Sequence, residues 1–89
     1  MAILLVAYEL REPGRNYQPV TDYLKQFANC KEMDSVWLID TASTPEQVWD
    51  GLKKAVGAND RLFVTKLAKS WASWNYPCHD WMSDPCRLW

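Results

Sequence analysis

Residues 2–10 read Ala2-Ile3-Leu4-Leu5-Val6-Ala7-Tyr8-Glu9-Leu10, an unbroken apolar run with a single late carboxylate. A strand buried on both faces of a sheet has this appearance, whereas a surface helix would show polar positions recurring at its 3.6-residue period. The run is therefore expected to be the central strand of a sheet, with Glu9 at its exit. The rest of the chain must then cover that strand from two sides.

The chain has 89 residues, 48% of them hydrophobic and 24% charged, which bounds it to one domain with a small core. Six Trp, four Tyr and two Phe compensate for the short length, because each aromatic ring buries a large area. Ten Lys and Arg against eleven Asp and Glu give a formal charge of −1, far from the basic footprint of a high-affinity nucleic-acid binder. Contact with nucleic acid is thus expected to be local or weak. The apolar run falls well short of the ~20 residues of a membrane span and has no basic leader, so the protein is read as soluble and cytoplasmic, with no membrane contact. Three cysteines, Cys30, Cys78 and Cys86, are an odd number without a secretion signal, and they are expected to be reduced. Zinc is not expected, because the paired CxxC-like spacing is missing and the adjacent Cys78 and His79 rarely ligate one ion together.

Outward from the first strand, Pro13-Gly14 marks a loop, and Asn16 or Gln18 starts a helix with Pro19 in its first turn. Val20, Leu24 and Phe27 recur at i, i+4 and i+7 as its buried face. Lys31 to Met33 and Val36 to Thr41 read as two short strands, or one bent strand, around the polar break Asp34-Ser35. Thr44-Pro45-Glu46-Gln47 is a helix start: Thr44 caps, Pro45 fits the first helical position and Gln47 completes a capping box. That helix buries Val48, Leu52, Ala55 and Val56 and is expected to run to Gly57. Asn59-Asp60 turns the chain into a last strand, Arg61 to Leu67. Residues 70–89 lack this periodicity and form a Trp-rich extension of the 1–69 core, with a helical turn around His79 to Met82. So aromatic a tail must pack on the core or on a partner.

The order βαββαβ defines an α+β protein of the ferredoxin-like plait, an antiparallel sheet with two helices on one face, here with an aromatic C-terminal extension. That superfold hosts many functions. More specific are Val6-Ala7-Tyr8-Glu9-Leu10, Ser35-Val36-Trp37-Leu38-Ile39-Asp40-Thr41 ahead of the Thr-Pro-Glu-Gln helix start, Asn59-Asp60-Arg61-Leu62-Phe63-Val64, and the pair in Trp71-Ala72-Ser73-Trp74. Together they resemble the Cas-two-like small proteins of CRISPR adaptation, and more closely the SinR-like bacterial and prophage proteins related to VapD-like toxins. The resemblance implies a two-fold homodimer and an interaction or regulatory role. In the Cas-two-like family an Asp directly after the strand-one Tyr is a metal ligand for phosphodiester cleavage. Glu9 holds the matching position here, one methylene longer than near-ideal Mg²⁺ geometry tolerates easily.

Glu9 is accordingly a candidate catalytic residue and Mg²⁺ ligand of an endonuclease, with Asp40 as a second ligand if the two strands bring them together. Against this, Glu9 can be an end-of-strand carboxylate paired with Arg11 or Arg15, and Asp40 can simply end a strand. For nucleic-acid or partner binding the candidates are Arg11, Arg15, Arg61, Lys66 and Lys69 with Tyr17, Trp71 and Trp74. The near-neutral charge balance favours solvated charges over a phosphate-binding patch. The sole histidine, His79, is a candidate base with no second catalytic residue near it in sequence. No GxSxG turn or glycine-rich phosphate loop occurs. The leading expectation is a dimer acting by binding, with a Mg²⁺-dependent nuclease as the alternative. A third reading is a mobile-element protein that blocks a host defence complex.

Overall fold

The computed structural model describes every residue except Pro13, Arg15 and Leu88. Strand β1 spans Ala2–Glu9, helix α1 Gln18–Lys25, β2 Ala28–Met33, β3 Val36–Thr41, α2 Pro45–Leu52, β4 Arg61–Lys66 and α3 Cys78–Ser83. The four strands form one sheet in the order β2-β3-β1-β4, and every neighbouring pair is antiparallel. The oily N-terminal run is thus a central strand between β3 and β4, with Ile3, Leu4 and Val6 fully buried. Among the described residues no helix is long and apolar enough to cross a membrane.

Side chains alternate across a strand, so this sheet has two apolar faces with different covers. On the first, Leu4, Val6, Trp37 and Ile39 pack against Val20 and Leu24 of α1 and Val48 and Leu52 of α2. On the second, Ile3 and Leu38 pack against Cys78 and Met82 of α3, with Leu67, Trp71, Tyr76, Trp81 and Trp89 around them. The molecule is a three-layer α+β structure: two helices, a sheet and the aromatic extension.

Local chemistry explains the helix starts. The Asn16 side-chain oxygen accepts from the Gln18 backbone N–H at 2.9 Å ahead of α1. At α2 the capping box is complete: Thr44 Oγ1 accepts from the Gln47 N–H at 3.1 Å, and Gln47 Oε1 accepts from the Thr44 N–H at 2.8 Å. α2 ends earlier than its sequence suggests, at Leu52, and tightens into a 3₁₀ turn over Lys53–Ala55. The interhelical fit runs through Gly51, where a Cβ would meet the ring of Tyr23.

Beyond α2, Asp60 closes the two loops at the top of the sheet. Its Oδ1 accepts from the Arg11 N–H at 2.7 Å and from the Tyr17 hydroxyl at 2.6 Å, and its Oδ2 accepts from the Gly57 N–H at 2.7 Å. Gly57 is thereby a loop anchor several residues past the helix, not its stop.

The expectation that the cysteines are all reduced is corrected. Cys30 on β2 and Cys78 at the start of α3 form a disulfide, with Cα atoms 5.9 Å apart across 48 residues of sequence, and only Cys86 is free. The odd count concealed the bond because one thiol is left over. The pair forms because Cys30 lies opposite Leu38 on the second face, where α3 docks.

Candidate functional site

Glu9 and Asp40 do not converge within one chain. Asp40 pairs with Ile3 in the β1–β3 register, six positions before Glu9, so at ~3.3 Å per residue they lie roughly 20 Å apart. Asp40 is instead bound to the extension: its Oδ2 lies 3.1 Å from Arg87 Nη1, and its side chain is only 9% exposed. Glu9 remains exposed, with Oε1 3.3 Å from Arg11 Nε and with Arg61 opposite it on β4. Among the described residues no group of three or more His, Cys, Asp or Glu side chains could hold a metal ion. A shared Glu9–Asp40 metal pair is therefore corrected.

The basic and aromatic candidates are dispersed as well. Arg11 and Arg61 lie near Glu9 at one end of the sheet, while Arg15 lies outside the described residues. Lys66 sits at the far end of β4 on the opposite face, because it is five residues from Arg61. The Tyr17 hydroxyl is engaged by Asp60 and by the Glu12 N–H. Lys69 and Trp71 line a cleft of about 690 Å³ with Met82, Asp84, Arg87 and Trp89. Trp71 is half-buried and meets the His79 ring edge-on at 5.1 Å, whereas Trp74 is 93% exposed. One continuous patch of these residues is not formed.

The second face of the sheet gives a more coherent surface. Its cross-strand rows are Asp40–Ile3, then Cys30–Leu38–Leu5–Thr65, then Met33–Val36–Ala7–Phe63, and finally Glu9–Arg61. The extension covers the first two rows and leaves the last two open. Phe63 is 62% exposed and Met33 47%, beside the half-buried Ala7 and Val36. Ala7, Glu9, Arg61 and Phe63 line a depression of about 220 Å³. An apolar ledge is thus rimmed by one carboxylate and two guanidinium groups.

The cover over the other half is imperfectly paired. Among the described residues three buried side-chain atoms have no hydrogen-bond partner: Tyr76 Oη and Arg87 Nε in this cover, and Asp40 Oδ1 on β3 beneath it. Burial, followed by the negative charge of Glu32, raises the Tyr76 pKa above its ordinary value of 10.0. Each unpartnered buried polar group costs roughly 1–3 kcal/mol. The chain-entropy gain from a cross-link over such a span is about 4 kcal/mol, comparable to the polar deficit. Apolar packing of Cys78 and Met82 and the stacking of Arg87 over Trp81 at 4.0 Å complete the attachment.

Sequence reasoning missed the ledge, although the alternation of Ala7, Val36 and Phe63 in their strands was its signal once strand neighbours are known. It also missed Ser73, whose Oγ lies 2.9 Å from His79 Nδ1. Both residues are exposed, and their bond pins the irregular segment to the start of α3. No family model matches the chain, and no solved structure matches it significantly.

Proposed function

We propose that the protein acts by binding rather than catalysis, as a two-fold homodimer built on a ferredoxin-like plait of the Cas-two-like and SinR-like type. The observation that carries this reading is the open ledge of Ala7, Val36, Phe63 and Met33 beside Glu9, Arg11 and Arg61. Exposed aromatic and Met side chains in one patch are characteristic of interface centres. A two-fold interface must complement itself, and a patch carrying both signs of charge does so, with Glu9 of each copy facing Arg61 of the other. The ledge is also a weak fit to nucleic acid, since Arg11 and Arg61 both flank a carboxylate.

Light scattering at tens of micromolar tests the reading. The wild type is expected to be a dimer and Phe63→Glu a folded monomer; a monomeric wild type overturns it. The alternative is a Mg²⁺-dependent endonuclease using Glu9 at the dimer interface, favoured by the exposure of Glu9 on the ledge rim. Metal-dependent cleavage of labelled RNA or DNA that disappears in Glu9→Ala would support it, and no cleavage at micromolar protein removes it. A cytoplasmic location rests on the short apolar run and the reading of no basic leader, and a host defence complex as partner on the resemblance alone.

A further inference from the structure

We infer that the Cys30–Cys78 bond is a redox clasp that decides how much of the sheet's second face is open. Four observations converge on it. The bond ties the edge strand β2 to α3, among the described residues the only helix on that face. Between Lys66 and Cys78 the extension has no helix or strand. Of the unpartnered buried polar side-chain atoms among the described residues, Tyr76 Oη and Arg87 Nε belong to the extension that the bond fastens, and Asp40 Oδ1 lies on β3 against it. The covered rows continue directly into the open ledge through Leu5 next to Ala7 and Leu38 next to Val36.

The chemistry requires a dithiol reductant. A thiolate of the reductant attacks the sulfur of Cys30, the partly exposed partner, while Cys78 is fully buried. The S–S bond breaks, Cys78 leaves as a thiolate and takes a proton, and a mixed disulfide forms on Cys30. The second thiol of the reductant attacks that mixed disulfide, releases the Cys30 thiol and leaves the reductant as its own disulfide. Two electrons and two protons pass to the protein. Freed of the bond, the extension lifts, and Ile3, Leu5 and Leu38 join the apolar surface. The consequence for association rests on the ledge reading; the opening itself does not.

Amide hydrogen exchange on Cys86→Ser, oxidised and then reduced with dithiothreitol, tests the clasp without a competing thiol. Exchange over Cys78–Ser83 is expected to accelerate at least tenfold on reduction, with less than a twofold change at Leu4 to Val6 and at Trp37 to Ile39. Cys30→Ser in the same background should show the reduced pattern without reductant. An unchanged α3 in either sample overturns the clasp. Acceleration of β1 and β3 together with α3 also overturns it, because the bond would then hold the whole fold. On the same samples the dimer dissociation constant should fall at least tenfold on reduction, and unchanged or weaker association overturns the regulatory consequence. A monomeric oxidised protein refutes the ledge reading, whatever α3 does.

Discussion

The guanidinium of Arg87 reaches back across 47 residues to the carboxylate of Asp40 at 3.1 Å, fastening the end of the extension to the start of the sheet. Removing one partner of a mostly buried pair leaves the other charge without compensation, which costs more than the intact pair contributes. Arg87→Met, which keeps apolar bulk over Trp81, should destabilise the protein by about 2–4 kcal/mol. Asp40→Leu combined with Arg87→Met should recover most of that loss. Urea midpoints of the three proteins check both statements.

Under the helices, the indole N–H of Trp37 donates to the Tyr8 hydroxyl at 3.0 Å. Trp37 is buried, so Tyr8→Phe withdraws the acceptor from a donor with little access to water. A loss of about 1–3 kcal/mol is expected in chemical denaturation. Because Tyr8 points to the helix-covered face, opposite to its neighbour Glu9 and the ledge, the same variant should leave the association of the folded protein unchanged.

Gly51 and Tyr23 should be strongly coupled. Gly51→Ala gains about 1 kcal/mol of helix propensity but drives a methyl group into the Tyr23 ring, an overpacking cost of about 1–3 kcal/mol. The single variant is expected to be destabilised. In a Tyr23→Ala background the clash is gone and the same substitution should stabilise by about 1 kcal/mol. A double-mutant cycle measures the change of sign.

Alkaline pH should weaken the fold through two tyrosines. The Tyr17 pKa is raised by burial and by its hydrogen bond to Asp60, and the Tyr76 pKa by burial and then by Glu32. A folded-state pKa above the unfolded value of about 10 means that the native state holds its phenolic protons longer. This contribution is complete below pH 10 and is lost as pH rises through the raised folded values. The melting temperature is expected to fall above pH 10, and less steeply in Tyr17→Phe.

Much of the first layer was legible because its signals are local. The Ala2-to-Glu9 run could be buried only in a sheet interior, and Thr44 to Gln47 encodes its own cap. The second layer was not, because its determinants are distant pairings. Cys30 and Cys78 carry no spacing signal across 48 residues, and Asp40 looks like a metal ligand until Arg87 is placed on it. The ledge was equally hidden: Ala7, Val36 and Phe63 sat in the expected strands, yet their row exists only through the β3-β1-β4 neighbour order. Where the extension stops along β1 decides which half of that face is free, and residues 67–77 have no periodicity to announce it.

A mixing experiment tests self-association through the ledge most directly. Glu9→Arg and Arg61→Glu each place like charges across the proposed two-fold interface, while one copy of each restores opposite charges at both contacts. By sedimentation velocity at tens of micromolar, the wild type should be dimeric, each variant alone monomeric, and the equimolar mixture dimeric again. A mixture that stays monomeric beside a dimeric wild type, or variants that dimerise as well as the wild type, would contradict the account.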